Sequence, residues 1–159
     1  MKKTILIISI VMMAIVGKAQ DIKLMEAYLR GDDQATRYVI VLEDNSIWWF
    51  APGQDWKSSS VSGLPSGYSI THIAAYSYDD GSTRYAVVLS DQSIWWFAPG
   101  EDWKKSSVEG LPSGYKVKDF EAYAKDNSSR YVVVLEDNSI WWFAPGQPWK
   151  SSNMGGLPK

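Results

Sequence analysis

Apolar residues in this chain fall into short runs separated by polar turns, and the same succession of runs occurs three times. In the middle copy, residues 67–78 (GYSITHIAAYSY) alternate with period two, which places Ile73 and Ala75 on one face of a strand. The equivalent stretches are Ile22–Leu29 (IKLMEAYL) and residues 117–124 (VKDFEAYA), with Ala-Tyr aligned in all three. A denser run follows, YAVVL at 85–89. Its continuous, largely β-branched character predicts a strand covered on both faces. Asp91-Gln92, like Asp44-Asn45 and Asp137-Asn138, predicts a tight turn into a further strand, Ile94-Trp95-Trp96-Phe97 in the middle copy. Neighbouring side chains on a strand point to opposite faces, so Trp95 and Trp96 require aromatic cover on both sides of the sheet. Ala98-Pro99-Gly100 ends this strand, because proline has no N–H for the ladder. Trp103 opens a polar stretch, WKKSSVEG, that reads as a weak outer strand.

The repetition extends well beyond these runs. The octapeptide SIWWFAPG begins at Ser46, Ser93 and Ser139, at spacings of 47 and 46 residues. An Arg-Tyr precedes each copy (Arg37, Arg84, Arg130). A tryptophan (Trp56, Trp103, Trp149), a Lys/Ser-rich stretch and Gly-Leu-Pro follow it. Such a period denotes one supersecondary unit stacked several times. The units span about 21–66, 67–113 and 114–159 within a single domain of residues 20–159. The loop between the first two strands shortens from unit to unit, as an exposed tip tolerates.

The expected fold is therefore all-β, made of three propeller-type blades of about 47 residues, each a small meander buried between its neighbours. Ala27, Ala75 and Ala122 on the first strands suit crowding near an axis. A β-trefoil, which also has three repeats, is the alternative. Propellers have about four to eight blades, so three blades leave two open sheet flanks. A homodimer closing a six-bladed ring would cover them.

Residues 1–19 read as a signal peptide, with Lys2 and Lys3, an apolar stretch over 5–16 and the small pair Gly17-x-Ala19. Its removal leaves 13 basic against 18 acidic side chains. An acidic surface without a basic stripe argues against nucleic acid, and no membrane insertion is expected after cleavage. There is no cysteine, so an exported chain would be held by packing alone. These features point to a secreted or periplasmic bacterial protein.

The run IAAYSY…RYAVVLSDQSIWWFAPGEDWKKSSVEGLP resembles the blade repeats of small propeller lectins. These include the fucose-binding fungal and bacterial lectins and the tectonin and tachylectin groups. Ile73-Ala74-Ala75, Arg84 and Trp103 stand at places comparable to the fucose-binding blades, whereas Trp96 fills their acidic position. The resemblance implies carbohydrate binding, and some such lectins assemble six blades from shorter chains.

The candidate carbohydrate-binding residues are Arg37, Arg84 and Arg130 with Trp49, Trp96, Trp142, Trp56, Trp103 and Trp149, and their repetition predicts a multivalent module with several equivalent sites. A sugar offers a C–H face that stacks on an aromatic ring and a hydroxyl rim that takes donors from a planar guanidinium. The same residues also suit packing and ion pairing, since tandem duplication copies every feature alike. On the binding reading, Trp103→Ala should weaken glycan retention and leave the fold intact. An enzyme is not expected: the single histidine, His72, has Leu24 and Asp119 as counterparts, and no nucleophile elbow or phosphate loop occurs. No cofactor or metal is called for. A protein-interaction or scaffold module using exposed aromatics is the alternative function.

Overall fold

The computed structural model describes residues 20–155, so the signal-peptide segment and the last Gly-Leu-Pro lie outside the described residues. Twelve strands form three antiparallel sheets of four. Sheet 1 contains β1 (Ile22–Leu29), β2 (Thr36–Leu42), β3 (Ile47–Phe50) and β4 (Lys57–Ser58). Sheet 2 contains β5 (Ile70–Ser77), β6 (Thr83–Leu89), β7 (Ile94–Phe97) and β8 (Lys104–Lys105). Sheet 3 contains β9 (Val117–Lys125), β10 (Ser128–Leu135), β11 (Ile140–Phe143) and β12 (Lys150–Ser151). Within each sheet the strands lie in chain order, a simple meander. No strand of one sheet pairs with a strand of another among the described residues, and no closed barrel forms. The outer strand expected from the Lys/Ser-rich stretch is only two residues long in each sheet.

Turn chemistry fixes each hairpin register. Asn45, Gln92 and Asn138 sit at φ of 62°, 69° and 65°, a left-handed conformation that asparagine adopts more readily than most residues. The preceding aspartate accepts the N–H of Ser46, Ser93 or Ser139 at 2.9, 3.0 and 2.9 Å. The serine donors hold Asp44 and Asp137 below the usual carboxylate range. Burial pushes Asp91 up, but the Ser93 donors outweigh it and its pKa is also lowered.

Two hydrophobic cores lie between the sheets. Val39, Val41 and Ile47 of sheet 1 meet Ile73, Tyr85, Val87 and Phe97 of sheet 2. Ala74, Tyr76, Val88 and Ile94 of sheet 2 meet Phe120, Tyr131, Val133 and Phe143 of sheet 3. The tryptophan pair divides as expected, with Trp95 in the first core and Trp96 in the second. The first strands β1, β5 and β9 stand side by side, but no strand of sheet 1 touches one of sheet 3 among the described residues. The three sheets thus form an open arc. Continuous burial of the second strand, expected for every unit, holds over residues 39–42 of sheet 1 and 85–89 of sheet 2. In β10 of sheet 3 burial alternates instead.

Each junction is closed by the same clamp. Trp103 donates its indole N–H to Ser60 O at 2.9 Å and its backbone N–H to Ser62 O at 2.9 Å. Trp149 repeats this with Ser107 O at 2.9 Å and Glu109 O at 2.7 Å. The glycine after each acceptor is required by space: a Cβ on Gly63 would lie 2.8 Å from Trp103 O, and one on Gly110 2.5 Å from Trp149 O. At the inner end, Asn45 Oδ1 accepts Ile70 N–H at 3.0 Å and Gln92 Oε1 accepts Val117 N–H at 2.7 Å.

Candidate functional site

Sheets 1 and 2 are parted at one end by a cleft of about 530 Å³. The two hairpin tips, at Arg30 and Gly81, contribute to its wall. Sheet 1 contributes Tyr28, Arg30, Arg37, Trp49 and the serines 58–60. Sheet 2 contributes Arg84, Tyr85, Phe97 and the backbone around Gly81 and Pro99.

Arg37 and Arg84 begin equivalent strands, and each donates Nη1–H to the carbonyl of the residue before it, Thr36 at 3.3 Å and Thr83 at 2.8 Å. Arg37 is buried and also bonds Asp33 Oδ2 at 2.6 Å. Donation from Ala35 N–H, followed by the Arg37 guanidinium, keeps the Asp33 carboxyl below its ordinary range. Arg84 has no carboxylate within 4.0 Å among the described residues. It lies over the Tyr78 ring instead, with Cζ 5.1 Å from the centroid. Arg30 donates Nε–H to Gly81 O at 3.1 Å and pairs with Asp32 at 3.0 Å, tying the two hairpin tips together.

Trp49 is half-buried, and Lys57 on the neighbouring strand lies over its ring at 5.0 Å. Gln54 Oε1 holds that ammonium at 2.8 Å. Lys104 over Trp96 (5.0 Å) and Lys150 over Trp142 (5.4 Å) repeat the arrangement. The lysine-rich edge strand therefore caps one face of the second tryptophan of each pair by a cation–π contact.

No family model and no curated protein matches this chain. Among solved structures, the BP39L lectin from Burkholderia pseudomallei aligns with a TM-score of 0.46 and 16% sequence identity. The alignment covers 79% of this chain, which spans 39% of the lectin's own length.

Of the nine candidate residues, Arg37, Arg84 and Trp49 line the cleft. Trp103 and Trp149 are buried in the clamps, where packing and backbone acceptors occupy their indoles. Trp96 packs at the junction of sheets 2 and 3, and Arg130 donates to Ser129 O at 3.0 Å beside it. Trp142 and Trp56 lie on the outward faces of sheets 3 and 1, Trp56 stacked on Phe50 at 5.2 Å.

The second junction is not a copy of the first. Tyr78, which stands where Arg30 stands in the first unit, reaches across it with its hydroxyl 2.8 Å from Ser129 Oγ. Tyr76 donates to the same oxygen at 2.6 Å. Burial raises the pKa of Tyr76, and more strongly those of Tyr85 and Tyr131, so these phenols stay neutral. Sequence reasoning missed Tyr28, Arg30, Asp33 and Tyr78. For Arg30 and Tyr78 the signal was present where repetition fails: after the shared Ala-Tyr the units read Leu-Arg, Ser-Tyr and Ala-Lys.

Proposed function

We propose that this chain is an exported, non-enzymatic carbohydrate-binding module whose three sheets are propeller-type blades. The observation that carries this reading is the cleft between sheets 1 and 2, which gathers Arg37, Arg84, Trp49 and four serines around one opening. Guanidinium forks, hydroxyls and carbonyls offer the fixed donors and acceptors that a hydroxyl-rich ligand needs, and Trp49 and Tyr28 offer apolar ring surface. No group in the cleft is poised as a nucleophile beside a base, the arrangement that covalent hydrolysis requires. A cleft of this kind holds one sugar weakly, and repeated presentation supplies avidity.

Arg84 and Trp49 are the residues to change, because Arg37 is tied into the fold by Asp33. Arg84→Ala and Trp49→Ala should each weaken retention on the best-bound glycan of an array by about tenfold or more, the effect of losing a charged hydrogen bond or a stacking ring. Melting temperature should change little for Arg84→Ala. An array without a single hit, beside capture of a protein by the same bait, would replace this reading with a protein-interaction module.

A further inference from the structure

The outward faces of sheets 1 and 3 are the two unmatched halves of a joint that the chain itself makes twice. Trp56 is 43% exposed, whereas its counterparts Trp103 and Trp149 are 3% and 2% exposed. Met25 is 63% exposed against 7% for Ile73 and 4% for Phe120. Ile22 is 58% exposed against 2% for Ile70 and 8% for Val117. The aromatic ladder Tyr38–Phe50–Trp56 stands assembled on this face, just as Tyr85–Phe97–Trp103 does inside the first junction. The complementary half is on sheet 3, where Tyr123 is 46% exposed while Tyr76, at the same place in sheet 2, is 5% exposed. Exposed apolar surface of this extent marks an interaction face. The counterparts of each half already fit one another at the two internal junctions, so shape and bonding point to a second copy of the chain as the partner.

We propose that a second copy of this chain closes both faces, head to tail, through the joint already used twice internally. The partner groups follow from the repeat. Trp56 indole N–H reaches the carbonyl of Asn153 in the other copy, as Trp103 reaches Ser60 and Trp149 reaches Ser107. Trp56 backbone N–H meets the carbonyl of Gly155, the counterpart of Ser62 and Glu109. Ile22 N–H meets Asn138 Oδ1, the counterpart of Asn45 and Gln92. That oxygen already accepts Lys118 at 2.8 Å, as Asn45 Oδ1 accepts Lys23 at 3.2 Å alongside Ile70. The joint is heterologous, so it yields either a ring or an open filament. Propellers close at about four to eight blades, and six is the one multiple of three in that range, so two chains complete the ring. The count of two chains rests on the propeller reading proposed above, and the joint itself holds whatever the cleft binds.

Native mass spectrometry of the chain lacking its leader should give a dimer. Met25→Asp, at a position exposed in the single chain, should leave the β-sheet circular dichroism unchanged and shift the mass to the monomer. The chain has no cysteine, so Asp55→Cys and Asn153→Cys place one thiol on each face. A mixture of the two single variants should be linked 55-to-153 by a short bis-maleimide. A monomeric wild type, a dimer indifferent to Met25→Asp, open filaments, or 55-to-55 links in place of 55-to-153 would each overturn the proposal.

Discussion

Trp56, Trp103 and Trp149 occupy the same place in three near-identical stretches of sequence, and only their neighbours tell them apart. Trp103 fills the first junction and satisfies two carbonyls of the preceding unit. Removing a buried indole leaves a cavity and orphans an acceptor, at a cost of about 3–5 kcal/mol. Trp103→Ala should therefore lower the midpoint of urea unfolding strongly, contrary to the expectation, drawn from sequence, of an intact fold. Trp56→Ala should cost the isolated chain much less, because that ring is already half in water. Comparing the two midpoints for monomeric Met25→Asp chains checks the difference. Sequence could not separate these cases, because burial at this position depends on whether a unit precedes it. The glycines of the clamp were legible only as Gly-Leu-Pro punctuation, and the close approach of a neighbouring backbone at Gly63 and Gly110 emerged with the fold.

The hairpins are the elements that sequence described best. Asp-Asn and Asp-Gln between apolar runs imply left-handed turn residues, and all three turns adopt them. Opposite facing of the tryptophan pair followed from strand geometry alone. What pattern could not show was which of two apolar faces would be covered, since YVVVL in β10 reads as fully buried yet alternates. The first strands carry a cost of another kind. Burial raises the pKa of Glu26 on β1, and the like charge of Glu121 on β9 adds to it. A folded-state pKa above the ordinary glutamate value means that folding favours the protonated acid. This contribution is fully present below the unfolded pKa and is lost as pH rises through the folded one. Glu26→Gln should accordingly raise the melting temperature at pH 7 and leave it nearly unchanged at pH 4, read by calorimetry at both values.

At the scale of the molecule, the repeat length and the meander order were legible, and they set the architecture of three similar sheets. The cleft was half legible: the repeated spacing marked Arg37, Arg84 and Trp49, but the repeat implied equal sites in every unit. Tyr78 in place of Arg30 makes the junctions differ, a consequence of the few positions where the units diverge. Stability in such a stack is a sum of units and nearest-neighbour joints. Each unit carries one donor face and one acceptor face of the same design, so on the proposed ring closure the bend at a joint, and not the length of the polypeptide, governs how many units come full circle. Excising residues 67–113 would preserve a Pro-Ser-Gly link and both terminal faces. The shortened two-unit protein should then gather as a trimer, visible as a change of stoichiometry with an unchanged total of units.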